Sequence, residues 1–150
     1  MGATTVGKLG RVLLGSAALV VLPAGRAGAS EPTISVSPDT HLDDEQLVTV
    51  TGTGLERPCV PYQGCFPVSI LQCVRGAALT INNADQYCVA LGNATQTADG
   101  YRAEVRVQEP FTPLRAGSSP VTCGRDGCDV VAAGIAGQFT FVTAPVSFSK

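Results

Sequence analysis

The residues with the most chemistry to offer are six cysteines: Cys59, Cys65, Cys73, Cys88, Cys123 and Cys128. The last two enclose a Gly-Arg-Asp-Gly tip in the stretch VTCGRDGCDV. Sulfur atoms so close in sequence could ligate zinc, form a redox couple or close a disulfide. A zinc site needs four ligands, usually two tight cysteine pairs or cysteine with histidine. Here the cysteines are separated by 5, 7, 14, 34 and 4 residues, and no C-x2-C occurs. The single histidine is His41, far toward the N-terminal side. No metal is therefore expected. A thioredoxin-like couple needs C-x-x-C beside a βαβ pattern, and neither is present. Disulfides are the chemistry that remains.

Catalytic constellations are sparse. His41 is followed by Asp43, Asp44 and Glu45, an arrangement that could suggest a base and its orienting carboxylate. Neighbours in a polar loop do not define that geometry, and no serine stands in a G-x-S-x-G context. Asp43 and Asp44 are adjacent and read as a turn, not as the separated carboxylates of a glycosidase. The Asn93-Ala94-Thr95 sequon reads as coincidental. The chain is accordingly expected not to be an enzyme.

The first 29 residues read as an export signal. Lys8 and Arg11 precede a short apolar run from Val12 to Pro23, and Ala27-Gly28-Ala29 forms a small-residue cleavage pattern. That run is too short for a bilayer crossing, which needs about 20 residues. Cleavage after Ala29 leaves one domain over residues 30–150, secreted and soluble. Loss of Lys8, Arg11 and Arg26 leaves seven basic residues against twelve acidic ones, a formal charge of −5. The basic residues are scattered. An acidic surface of that kind repels phosphate backbones, so unaided DNA binding is not expected. An even cysteine count in an exported chain points to a disulfide framework, with fifteen possible pairings.

The elements that must hold these cysteines read as strands. Tyr101, Ala103, Val105 and Val107 alternate with Arg102, Glu104, Arg106 and Gln108. Leu47 to Thr53 and Thr33 to Ser37 alternate in the same way. So do Phe139 with Phe141, and Val146 with Phe148. Val68 to Val74 and Tyr87 to Leu91 are shorter candidates. Asp99-Gly100 and Gly52-x-Gly54 mark turns, and Pro110, Pro113 and Pro120 bracket a loop. Gly76 to Asp85 is the one stretch that could make a helical turn. Many short strands between frequent turns predict an all-β antiparallel sandwich or barrel.

In order along the chain stand Pro32, Pro38, Leu42-x-Asp44, Val48-x-Val50, Gly52-x-Gly54-Leu55, Gln72-Cys73, the strand ending at Val107, Cys123-x4-Cys128 with Val130, and Val146-Ser147-Phe148. This ordered set resembles the neocarzinostatin family, the apoproteins of enediyne chromoprotein antibiotics secreted by actinomycetes. The resemblance covers nearly all of residues 31–150. It implies an immunoglobulin-like seven-stranded sandwich with a small hairpin subdomain. It also implies two disulfides, Cys73 to Cys88 and Cys123 to Cys128. Cys59 and Cys65 are additional to the family pattern, and the simplest assignment pairs them with each other.

The resemblance further implies a monomeric carrier with no required cofactor, holding a non-covalent enediyne-like chromophore in a cleft. Carried onto this sequence, the cleft residues are Arg75, Phe111, Leu114, Asp129, Val131 and Ala133. DNA would be met only indirectly, through the released ligand. Two features depart from the family: the chain has no Trp and is 5% aromatic. Stacking and apolar burial hold flat polycyclic ligands. Arg75 and Asp129 would suit a more polar ligand, or pair with each other, and Phe111 suits core or hairpin packing as well as the cleft. The alternative reading is an immunoglobulin-like extracellular interaction module with no enediyne.

Overall fold

The computed structural model describes residues 30–124 and 127–149. The export signal lies outside them, as do Arg125 and Asp126 at the tip of VTCGRDGCDV. Alternation governs the architecture. Along β7 (Tyr101–Arg106) every odd-numbered residue is buried and every even-numbered one exposed. β1 (Thr33–Ser37) and β2 (Leu47–Thr53) pair with it in sequence, sending Val36, Val48 and Val50 inward. Three further long strands follow the same chemistry: β5 (Val68–Val74), β6 (Cys88–Gln96) and β9 (Gln138–Val146). A strand β8 (Cys128–Ala136) lies between β5 and β9. The two-residue strands β3 (Cys59–Val60) and β4 (Gly64–Cys65) form a separate hairpin.

The seven longer strands form one antiparallel sheet in the order β1-β2-β7-β6-β5-β8-β9. β6 and β7 share only the pairs Thr95↔Arg102 and Gln96↔Tyr101. There the sheet folds into a three-stranded and a four-stranded layer, and β1 comes against β9 to nearly close the barrel. The interior is filled by Leu42, Val48, Val50, Ile70, Val105 and Val130 among others. This is the all-β antiparallel architecture that the strand pattern predicts, with the seven strands and the small hairpin that the resemblance implies. β6 runs on to Gln96, past the expected end at Leu91, because its ladder with β5 tolerates a bulge at Ile70/Leu71. The helical candidate contracts to a single turn, α1 (Ala84–Tyr87).

Three disulfides form: Cys59–Cys65, Cys73–Cys88 and Cys123–Cys128. Chain entropy alone gives about 2 kcal/mol for each short loop and about 3 kcal/mol for the Cys73–Cys88 loop. The polar groups of the N-terminal loop serve the frame. Asp44 accepts a hydrogen bond from the Glu109 backbone N–H at 2.6 Å, and the His41 carbonyl accepts one from Ser149 Oγ at 2.9 Å. Glu109 in turn accepts from the N–H groups of Cys123 and Gly124, at 2.9 and 3.1 Å, and so seats the stapled turn.

Tyr101 ties the two edges of the three-stranded layer. Its hydroxyl donates to the Thr33 carbonyl at 2.7 Å, and its ring lies against Gly52, where any Cβ would overlap it. Burial pushes its pKa up to about 12. The unfolded chain releases this proton near the ordinary tyrosine value, about 10, so between the two values the folded state holds the extra proton. Stability is therefore complete below about pH 10 and falls as pH rises through about 12, by up to about 2 to 3 kcal/mol. Urea unfolding at pH 9 and above pH 11 reads this directly. Tyr101→Phe should remove that part of the alkaline loss, and an unchanged pH profile in this variant would assign the loss to other groups.

Candidate functional site

The outer face of the four-stranded layer carries the candidate site. Alternation along β8 sends Val130 and Ala132 into the core and leaves Asp129, Val131 and Ala133 in a row outside. Cross-strand register sets Leu71 beside Val131, and Ser69 and Phe141 on either side of Ala133. The segment following β5 crosses this face and divides it into three zones.

At one end Arg75 and Asp129 face each other, with Arg75 Nε 3.5 Å from a carboxylate oxygen. The other Asp129 oxygen accepts from the Gly76 N–H at 2.9 Å. Arg75 also donates to the carbonyls of Cys128 and Val146, at 3.1 and 2.8 Å. It is packed so closely against Gly127, which has a φ of 68°, that a side chain there would displace the guanidinium. These two residues therefore satisfy each other and pin the stapled turn to β5. Of the two roles open to them in the sequence, the structure shows the pairing.

In the middle zone Val131 is fully buried. It packs with the Cys73–Cys88 disulfide under Leu71, Leu79, Ala84 and Phe141. The loop from Pro110 to Pro120 docks alongside. The Leu114 N–H donates to the Cys88 carbonyl at 2.9 Å, and Arg115 pairs with Asp85 of α1 at 3.1 Å. The Leu114 side chain is exposed on this loop. Phe111 does not reach the outer face. It bridges to Val121 and is buried in the main core, where its ring packs with the sandwich interior.

The third zone is open. It is a groove of about 460 Å³ floored by Ser69 and Ala133. The β3–β4 hairpin and the residue that follows it contribute Val60 and Phe66 as one wall, and Ile81, Ile135 and Phe139 complete the lining. Small side chains on the floor give it depth, and large ones at the rim give it walls. Val60 is 42% exposed, Phe66 47%, Ile81 69% and Phe139 37%, so four large apolar side chains stand in water around one cavity. Isolated exposed apolar residues are ordinary, but their convergence is not. No charged residue lines the groove, and Ser69 brings its one side-chain hydroxyl.

Local structure explains how these walls stand. Asn83 closes a turn by accepting from the Thr80 N–H at 2.7 Å and donating to the Ala78 carbonyl at 3.0 Å, which presents Ile81 at the rim. Phe139 is braced edge-to-face by Phe141, with ring centroids 5.3 Å apart. Of the six residues carried over from the family, Ala133 lines the groove. Val60, Phe66, Ile81, Ile135 and Phe139 were not anticipated. The signal available for Phe139 was an aromatic on the strand face opposite the core. For Phe66 it was an aromatic adjoining a cysteine-closed loop.

No family model matches the chain, and no curated protein matches it. Among solved structures, it is similar to macromomycin at 22% identity and a TM-score of 0.47, over 79% of this chain and 99% of that one. It is also similar to apokedarcidin in its solution conformation, at 23% identity and a TM-score of 0.40, over 78% of this chain and 97% of that one.

Proposed function

We propose that this protein is an exported, non-catalytic carrier that shields an apolar small molecule from water in the outer-face groove. The observation that carries the reading is the convergence of Val60, Phe66, Ile81 and Phe139 above a small-residue floor. The groove volume falls in the range of roughly 300–1,000 Å³ that suits small-molecule ligands. Without a charge in its lining, the groove favours an uncharged ligand, with two phenyl rings available for stacking. The ordered motifs shared with the neocarzinostatin family support an enediyne-type antibiotic chromophore as that ligand. In that case antimicrobial action and DNA damage belong to the released ligand. Cleavage after Ala29 delivers the chain outside the cell, where three disulfides persist.

The neutral polycyclic dye Nile red tests the reading. Saturable emission enhancement at one dye per protein, with an affinity on the order of micromolar, is the expected result. Absence of saturable binding would remove the carrier assignment. A specific feature favours the second reading, an extracellular interaction module: Tyr62 is fully exposed at the tip of the stapled hairpin. Tyr62 lies outside the groove lining, so Tyr62→Ala should leave dye binding unchanged.

A further inference from the structure

The groove depends on a wall that the core does not support. Residues 59–66 are exposed without exception, and none belongs to either buried cluster. The β3–β4 ladder consists of the pairs Cys59↔Cys65 and Val60↔Gly64 and joins no other strand. Two backbone bonds add to it, Phe66 N–H to the Pro58 carbonyl at 2.7 Å and Gln63 N–H to the Val60 carbonyl at 3.1 Å. A two-stranded hairpin of this size is not stable by itself in water. Tyr62 at its tip is held at a φ of 67°, a conformation unfavourable for a bulky side chain. The disulfide is what keeps this hairpin closed, with Val60 and Phe66 standing beside the groove.

Access separates this disulfide from the others. Cys73, Cys88, Cys123 and Cys128 are all buried, whereas Cys59 and Cys65 are both exposed. Thiol–disulfide exchange requires a thiolate to reach a sulfur atom, so an external thiol meets the hairpin bond first.

We propose that Cys59–Cys65 is a thiol-sensitive latch: closed, it holds the groove in its ligand-retaining shape, and reduced, it releases the wall and the ligand. This regulation rests on the carrier reading above. The reductant is a small dithiol. One of its thiolates attacks Sγ of Cys59 or Cys65, forms a mixed disulfide and expels the other cysteine as a thiolate, which takes a proton from water. The second thiol of the reductant, after losing its proton, attacks the mixed disulfide and expels the remaining cysteine. The dithiol leaves as a cyclic disulfide, two electrons have passed to the protein, and the hairpin holds two free thiols. Opening the staple lets Tyr62 leave its strained conformation, which favours the relaxed wall.

The test treats the full protein with graded dithiothreitol, traps free thiols with iodoacetamide, maps them by mass spectrometry and measures Nile red affinity on the same samples. Cys59 and Cys65 should be labelled before the other four. Affinity should fall about tenfold or more at that stage, because two apolar side chains of the wall leave the ligand. The double variant Cys59→Ser with Cys65→Ser should bind as weakly as the reduced protein and ignore the reductant. Its main unfolding transition should persist, since the hairpin lies outside the core. Selective reduction with unchanged affinity overturns the latch and leaves the carrier standing. Earlier labelling of Cys73, Cys88, Cys123 or Cys128 also overturns the latch alone. Failure of the oxidised protein to bind the dye overturns the carrier, and the latch with it.

Discussion

Replacing Gln72 with leucine should cost the domain about 3 to 5 kcal/mol, although leucine fills nearly the same space. Gln72 is the one fully buried polar side chain among the described residues. Its Nε2 donates to the Gln108 carbonyl at 2.6 Å and lies 3.2 Å from Cys123 Sγ. Its Oε1 accepts from the Gln108 N–H at 2.8 Å. One amide thus supplies both hydrogen bonds that a strand partner would supply to Gln108, just beyond the end of β7. Leucine leaves that half-buried N–H and C=O without their partner, at about 1 to 3 kcal/mol each where water does not replace it. Against a total stability of about 5 to 15 kcal/mol, the loss is large, and the thermal midpoint should drop by about 10 to 20 °C. Urea unfolding measures it. A loss below about 1 kcal/mol would mean that water reaches Gln108 and that the amide is dispensable.

The Gln-Cys dipeptide acquires a physical meaning from this geometry. Adjacent strand residues point to opposite faces. Gln72 points inward and fastens the segment after β7, while Cys73 points outward and fastens β6 through Cys88. A single strand is therefore tied on both sides at one point. The sequence alone displayed the dipeptide but not its partners, because Gln108 is 36 residues away and carries no motif.

Legibility followed exposure. β1, β2 and β7 each have one face toward the core and one toward water, and their alternation is plain in the chain. β8 has no such alternation. Its stretch from Val130 to Gly134 is buried continuously, inward against the core and outward beneath Val131's cluster and the groove. A strand covered on both sides reads as an unpatterned apolar run. The strand that carries the candidate site was thus the one whose period could not be read. The same cause explains the site residues. Asp129, Val131 and Ala133, carried over as cleft residues, share one face of β8, but whether each is open depends on the segment crossing above it. Arg75 closes over Asp129, Leu79 and Ala84 cover Val131, and only at Ala133 does the cover stop. The low aromatic content counted against stacking of a flat ligand, yet Phe66 and Phe139 of the five phenylalanines stand at the groove. Composition counts aromatic residues without saying where the fold puts them.

Filling the groove from its floor should abolish ligand retention without unfolding the domain. In Ala133→Trp the indole has one direction open to it, because Ala133 points away from the core and is flanked in register by Ser69 and Phe141. It would occupy the space between Phe66 and Phe139 that a flat ligand needs. Nile red affinity should fall about a hundredfold, equivalent to about 2.7 kcal/mol. The thermal midpoint should shift by no more than about 4 °C, since about 1 kcal/mol covers the local adjustment of flexible rim side chains. If tryptophan disturbs β8 itself, Phe139→Ala keeps the question open to measurement. Phe139 lies at the rim, outside both buried clusters, and its removal takes away a stacking surface without creating a core cavity. That variant should weaken the dye about thirtyfold with stability nearly unchanged, because one edge of aromatic contact is worth about 1 kcal/mol and its buried area as much again. Undiminished binding in both variants would place the dye elsewhere on the molecule and reject the outer-face groove as the carrier site. Loss of binding in both, with folding intact, leaves this groove as the place where the ligand sits.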